Sequence, residues 1–120
     1  MKSDQFTVTS RLEGDTAVIY PHGYLNNLAG ESLVIECGNY TCRGIKKIVL
    51  NFAETGLINT VGISLLLQIM EDLRNIDGTV CFTNMSSLLN ETFDILGLMK
   101  FLVVFKTETE ALSYLGTCRA

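Results

Sequence analysis

The sequence predicts an α/β fold: a mixed β-sheet flanked by helices, in the order β-β-α-β-α-β-α-β-α. Three observations carry that expectation. Two short strand-like runs near the start, residues 6–10 and 16–20, are separated only by a turn at Glu13-Gly14-Asp15, which is how an antiparallel hairpin reads. The run Ile48-Val49-Leu50-Asn51-Phe52 is β-branched and almost continuously apolar, as a parallel strand covered on both faces must be. Strand-like and helix-periodic segments then alternate to the end of the chain. A hairpin followed by strand–helix units implies a sheet parallel over most of its width, with right-handed crossovers.

In order, Phe6 and Val8 alternate with Thr7 and Thr9, as in a half-buried strand. The second run, Thr16-Ala17-Val18-Ile19-Tyr20, meets Pro21, which has no N–H to give a ladder, so the strand should stop, bulge or lie at an edge there. Gly23-Tyr24-Leu25-Asn26-Asn27 reads as a loop, with His22 beside it a turn residue, and a helix should span residues 27–42. Its apolar positions Leu28, Leu33, Ile35, Cys37 and Tyr40 fit one face only loosely. Gly30 and Gly38 weaken it by about 1 kcal/mol each against Ala. Gly38 either permits close helix-to-sheet approach or is merely tolerated. Gly44 suits the left-handed position beyond the helix end.

After the central strand, residues 53–59 read as a loop and a second helix should begin at Thr60. Leu66, Ile69, Met70, Leu73 and Ile76 share one face of it. Ile63, Leu65 and Leu67 fall off that face, so the first two turns are apolar nearly all round. Asp77-Gly78 should end this helix, and Thr79-Val80-Cys81-Phe82-Thr83 forms the next strand. Ser86 or Ser87 can cap a short helix in which Leu89, Phe93 and Leu96 align, ending at Gly97. Residues 101–105 read as the last strand. Thr107 and Glu110 have capping-box spacing ahead of a terminal helix carrying Ala111, Leu112 and Leu115.

Bulk composition narrows the function. The 120 residues fit one domain over 1–120, and chains of this size bury roughly two-thirds of their unfolded surface. With 48% hydrophobic and 18% charged residues the chain is globular. A net charge of −4, with no basic cluster longer than Lys46-Lys47, argues against direct nucleic-acid binding and against an anionic membrane. The polar start Met1-Lys2-Ser3-Asp4-Gln5 is not a signal peptide. No apolar run approaches the roughly 18–20 residues of a membrane span, so no membrane insertion is expected and the expected location is cytoplasmic.

Catalytic chemistry is not written in the chain. It holds no Walker loop, no G-x-G-x-x-G and no G-x-S-x-G, and its single histidine, His22, stands alone. Cys37, Cys42, Cys81 and Cys118 lack the paired spacing of a structural zinc site and read as small buried hydrophobes. Neither cofactor nor metal is called for, and a binding or switching module is favoured over an enzyme.

The stretch Leu57-Ile58-Asn59-Thr60-Val61-Gly62-Ile63 is the candidate functional site. A hydroxyl at a helix start can cap a partnerless backbone N–H. The same position favours an anion such as a phosphate. Thr60 is therefore either a plain cap or a switch. The apolar turns after it reflect either deep burial or an exposed rim that a partner covers.

Residues 48–50, the Asn59-Thr60-Val61-Gly62-Ile63 loop, Gly23-Tyr24-Leu25-Asn26 and Phe93-Asp94-Ile95-Leu96-Gly97-Leu98 together resemble a STAS domain. This is the module of bacterial anti-sigma-factor antagonists, also found in sulfate transporters, and the likeness covers nearly the whole chain. The family loop usually reads Asp-Ser-Ser/Thr-Gly, and its first hydroxyl is phosphorylated by an anti-sigma factor that is also a Ser/Thr kinase. Unphosphorylated antagonist binds that kinase and frees the sigma factor, and the phosphorylated form lets go. The resemblance implies Thr60 as phosphoacceptor and Asn26, Leu57, Ile58, Asn59, Thr60, Val61, Gly62, Ile63 and Leu65 as partner-binding residues. Asn59 and Asn26 stand where the family has Asp, and Val61 replaces the second hydroxyl. Family members with altered loops act as scaffolds or as cytosolic accessory subunits of transporters, for lipids or anions, which is the alternative reading.

Overall fold

The computed structural model describes residues 6–117; the polar start at residues 1–5 and Cys118 lie outside them. Strands β1 (Thr7–Glu13) and β2 (Thr16–Leu25) form the antiparallel hairpin, paired from Thr7↔His22 to Glu13↔Thr16. Helix α1 (Asn27–Thr41) follows, then β3 (Lys47–Asn51), β4 (Thr55–Ile58), α2 (Thr60–Asn75), β5 (Thr79–Thr83), α3 (Ser87–Ile95), a 3₁₀ turn (Met99–Phe101), β6 (Val104–Phe105) and α4 (Glu108–Thr117). The sheet runs β1-β2-β3-β5-β6, parallel from β2 onward, with β4 attached to the far end of β2.

The central position of β3 explains its composition. Strand residues alternate between sheet faces, and both faces are covered here. Ile48 and Leu50 enter a front core beneath α1, α2 and α3, together with Ala17, Ile19, Val80 and Phe82. Val49 enters a rear core beneath α4, together with Val18 and Cys81. All three β3 side chains are fully buried. Phe82 joins the front layers, with ring centroids 5.5 Å from Phe52 and 6.4 Å, edge-on, from Phe93.

Three sequence expectations are corrected. First, residues 23–25, read as a loop, belong to β2: of the outcomes open at Pro21, the strand does not stop but continues to Leu25 with an irregularity just beyond it. Proline is tolerated because β2 changes partner around it: pairing to β3 ends at Ile19↔Leu50, and pairing to β4 begins at Gly23↔Thr55 with a register shift before Tyr24. Within the changeover the Pro21 carbonyl accepts a buried bond from the Thr55 hydroxyl at 2.9 Å. Second, β4 itself was hidden in the predicted loop. Four residues bounded by turn signals show no period of their own, and β4 exists because β2 offers it an edge. Third, the predicted strand over 101–105 is a 3₁₀ turn plus the two-residue β6. Gly97, at φ +74°, ends α3, and the chain turns once more through Phe101 N–H to Leu98 O before reaching the sheet edge.

Helix α1 buries Ala29, Leu33, Cys37 and Tyr40, while Leu28 and Ile35 point outward. Close approach belongs to Gly30, where a Cβ would meet the Leu65 side chain of α2. Gly38 faces open space, so it is merely tolerated. Burial pushes the Cys37 thiol up to about 12, whereas Cys42 is exposed. The Thr107 hydroxyl accepts from Glu110 N–H at 3.2 Å, as the capping-box spacing predicts. In return, Lys106 N–H donates to the Glu110 carboxylate at 3.1 Å.

Candidate partner-binding site at the start of α2

The site is made by two helices that begin side by side. Tyr24↔Leu57 and Leu25↔Ile58 are paired across β2 and β4, so the next residue on each strand, Asn26 and Asn59, opens a helix at the same level. Both are extended, with φ near −109° and −106°. Each amide oxygen caps its own helix, Asn26 accepting from Ala29 N–H at 3.0 Å and Asn59 from Gly62 N–H at 2.8 Å. Asn59 N–H also donates to Leu25 O at 3.1 Å, tying the junctions together. Neither first turn contains an acidic residue, so the positive ends of both helix dipoles meet only neutral caps.

This arrangement overturns the plain-cap reading of Thr60. The cap is Asn59, and Thr60 is the first helical residue, with its side chain exposed. Its backbone carbonyl accepts from the Ser64 hydroxyl at 3.2 Å. Thr60 points outward because its neighbour two residues on cannot. Gly62 is buried, and a Cβ there would overlap the Leu25 carbonyl oxygen and press on Ile58. That contact seats the first turn of α2 on the end of β2.

The nine predicted partner-binding residues divide accordingly. Leu57 (53% exposed), Thr60 and Val61 (47% exposed) present side chains to solvent. Asn26, Asn59, Ile58 and Leu65 are half-buried, the asparagines as caps, Ile58 against the front core and Leu65 over Gly30. Gly62 and Ile63 are interior, so as contact residues they are corrected: Ile63 is part of the front core and supports the site from below. Deep burial and exposed rim are thus both present in these turns, on opposite sides of the helix. Sequence reasoning missed Tyr24, beside Leu57 in register, and Leu28, 70% exposed in the first turn of α1. The spacing of Ala29, Leu33, Cys37 and Tyr40 would have placed Leu28 outside, since those four share one helix face.

Other chemistry is sparse. His22 is bonded to the Thr9 hydroxyl at 3.2 Å. Among the described residues no group of three or more His, Cys, Asp or Glu side chains could hold a metal ion, and no helix is long and apolar enough to cross a membrane.

Fold and site together define a small α/β domain with an exposed, apolar-rimmed helix start. Residues 7–111 match the STAS domain family, and the chain belongs to it. The anti-sigma factor antagonist SpoIIAA in its unphosphorylated form superposes with a TM-score of 0.72 at 22% identity, covering 94% of this chain and 99% of its own. The phosphorylated form of the same Bacillus protein gives 0.69 at 24%, covering 92% and 99%. An anti-sigma factor antagonist from Mycobacterium paratuberculosis gives 0.83 at 17%, over 95% and 97%. A sulfate transporter family protein from Wolinella succinogenes gives 0.72 at 14%, over 88% of each chain. At these identities the likenesses establish the shared fold.

Proposed function

We propose that this STAS domain is a cytoplasmic anti-sigma-factor antagonist with a regulatory role and no catalysis of its own. In its unphosphorylated form it binds a cognate anti-sigma factor that is also a Ser/Thr kinase, through the face around Thr60, and releases the sigma factor. Phosphorylation of Thr60 ends the contact. The observation that supports this reading most is the division of labour at the helix start: Asn59 caps α2, which leaves the Thr60 hydroxyl exposed between Leu57 and Val61.

The mechanism is local electrostatics. A phosphate adds roughly −1.5 to −2 charge at neutral pH. In the free protein the end of α2 favours it by about 0.3–1 kcal/mol. Covering it with an apolar partner surface that offers no cation costs several times more. Since about 1.4 kcal/mol is tenfold in affinity, the switch needs no change of shape. The uncharged Asn26 and Asn59 add no repulsion of their own to the modified state.

Incubation with ATP and a kinase-type anti-sigma factor from the same genome should transfer a single phosphate, absent in Thr60→Ala and retained in Thr60→Ser. Thr60→Glu should weaken binding to that factor at least tenfold. A phosphate that persists in Thr60→Ala, or none with every such kinase, overturns the reading. A second reading rests on Val61, which stands in place of the family's second hydroxyl, and on the likeness to the Wolinella sulfate transporter protein. It is a non-switching scaffold or cytosolic accessory subunit of a lipid or anion transporter. Stable co-purification with a transporter or its ATPase, unchanged by Thr60→Glu, would select it.

A further inference from the structure

Behind the sheet, on the face opposite the helix that carries Thr60, lies a polar cluster. Glu108, the first residue of α4, turns its carboxylate onto three strands. Its Oε1 accepts from the Tyr20 hydroxyl of β2 at 2.8 Å and from Asn51 Nδ2 of β3 at 3.0 Å. Its Oε2 is paired with the Arg11 guanidinium of β1. Arg11 in turn donates from Nε to the Tyr20 oxygen at 3.0 Å and reaches Glu13 at 2.6 Å.

Past this cluster, α4 is held by a small apolar contact, with Tyr114 also lying 5.2 Å, ring to ring, from Phe105 of β6. Ala111 and Leu115 are its fully buried side chains, and Leu112 is half-buried. Among the described residues the rear core numbers five buried side chains against eighteen in front. A unit with few buried apolar contacts opens locally long before the whole domain unfolds. What α4 covers is an apolar strip of three adjacent strands, Val18 on β2, Val49 on β3 and Cys81 on β5.

We propose that α4 is a latched strap, with Glu108 as the latch, which opens as a unit while the front layers stay folded and so uncovers the Val18–Val49–Cys81 strip. The strap acts independently of Thr60, on the opposite side of the sheet. It makes the rear sheet face a conditional surface, presented only when the Glu108 bonds are released.

The cysteines supply built-in reporters. Cys42 is exposed, Cys37 lies in the front core and Cys81 lies beneath α4. Native full-length protein is treated with iodoacetamide, and each cysteine is followed over time by peptide mapping. Cys42 should be alkylated at once, and Cys81 at least tenfold faster than Cys37. Glu108→Gln should accelerate Cys81 at least a further tenfold and leave Cys37 unchanged. Tyr20→Phe, which removes one hydroxyl donor and keeps the ring, should accelerate Cys81 less but in the same selective way. Equal rates at Cys81 and Cys37, a parallel rise at both in the variants, or no rise at either overturns the strap.

Discussion

The two faces of the sheet are built on different principles. In front, α1, α2 and α3 bury a continuous apolar core, with its helix starts capped by Asn26, Asn59 and Ser86 and, at the β1–α1 edge, the Ser10 hydroxyl bonded to Glu36 and Tyr40. In the rear, one ten-residue helix covers a narrow apolar strip and is fastened by a carboxylate shared among three strands. Apolar burial is non-directional and cumulative, whereas a shared carboxylate acts at one point and fails when that point is lost. The front is therefore a fixed platform that holds Thr60 in one orientation. The rear is a thinner cover, held by a small apolar contact and by the Glu108 carboxylate.

The largest expected effect tests that contrast directly. Leu66 of α2 is 1% exposed in the front core, surrounded on all sides. Leu66→Ala should cost about 2–5 kcal/mol, because the packed surroundings cannot collapse into the space. Leu115 of α4 is also fully buried, but in a cluster of five beneath a single helix. Leu115→Ala should fall near about 2 kcal/mol, the low end of the same range, since α4 can settle onto the strip. Urea unfolding at neutral pH measures both. Equal losses would mean that the rear is packed as rigidly as the front.

What the sequence disclosed follows the same division. The front was largely legible, since its cues are local. The continuous apolar run of β3, the helical period of Leu66, Ile69 and Leu73 in α2, the Ser86 cap and the Gly97 stop each lie within a few residues of what they determine. Elements that depend on distant partners were not legible. Strand β4 needs the far end of β2, and β2 survives Pro21 only because its neighbour changes there. At the candidate site the start of α2 was legible, whereas the burial of Ile63 was not, because the sequence does not show that the end of β2 lies against Gly62. The Glu108 cluster was missed altogether. Arg11 and Glu108 are 97 positions apart, and no periodicity links them.

An intermediate effect comes from acid. Burial raises the Glu108 carboxyl, but hydrogen bonds from Asn51, Tyr20 and Arg11 outweigh it and hold the group below the usual carboxylate range. A carboxyl lowered in the folded state contributes stability that is present above its unfolded value, about 4.3, and lost as pH falls through the folded value. Glu108→Gln should therefore cost about 1–3 kcal/mol near neutrality, as expected for hydrogen bonds to a charged group. The gap between wild type and variant should close as the pH falls below about 4.3. Urea midpoints taken from pH 7 downward decide it. A constant gap would show that the carboxylate's charge contributes nothing to holding α4.

The smallest effects separate cap from hydroxyl at the front. Asn59→Ala leaves Gly62 N–H without its 2.8 Å acceptor at the start of α2 and should cost about 1 kcal/mol. Thr60→Ala removes an exposed side chain that is not the cap, so its effect on stability should lie within about 0.5 kcal/mol. Partner binding should order the pair the other way. Thr60→Ala keeps the uncharged face and should bind a kinase-type anti-sigma factor as the wild type does, while losing the ability to be released by ATP. Asn59→Ala should keep both hydroxyl and release, with affinity reduced only as far as the first turn of α2 frays. If instead Thr60→Ala destabilised the domain and Asn59→Ala did not, Thr60 would be the true cap and its hydroxyl would be committed to the fold. An exposed hydroxyl that stability does not require is one that a phosphate can occupy without unfolding the domain that carries it.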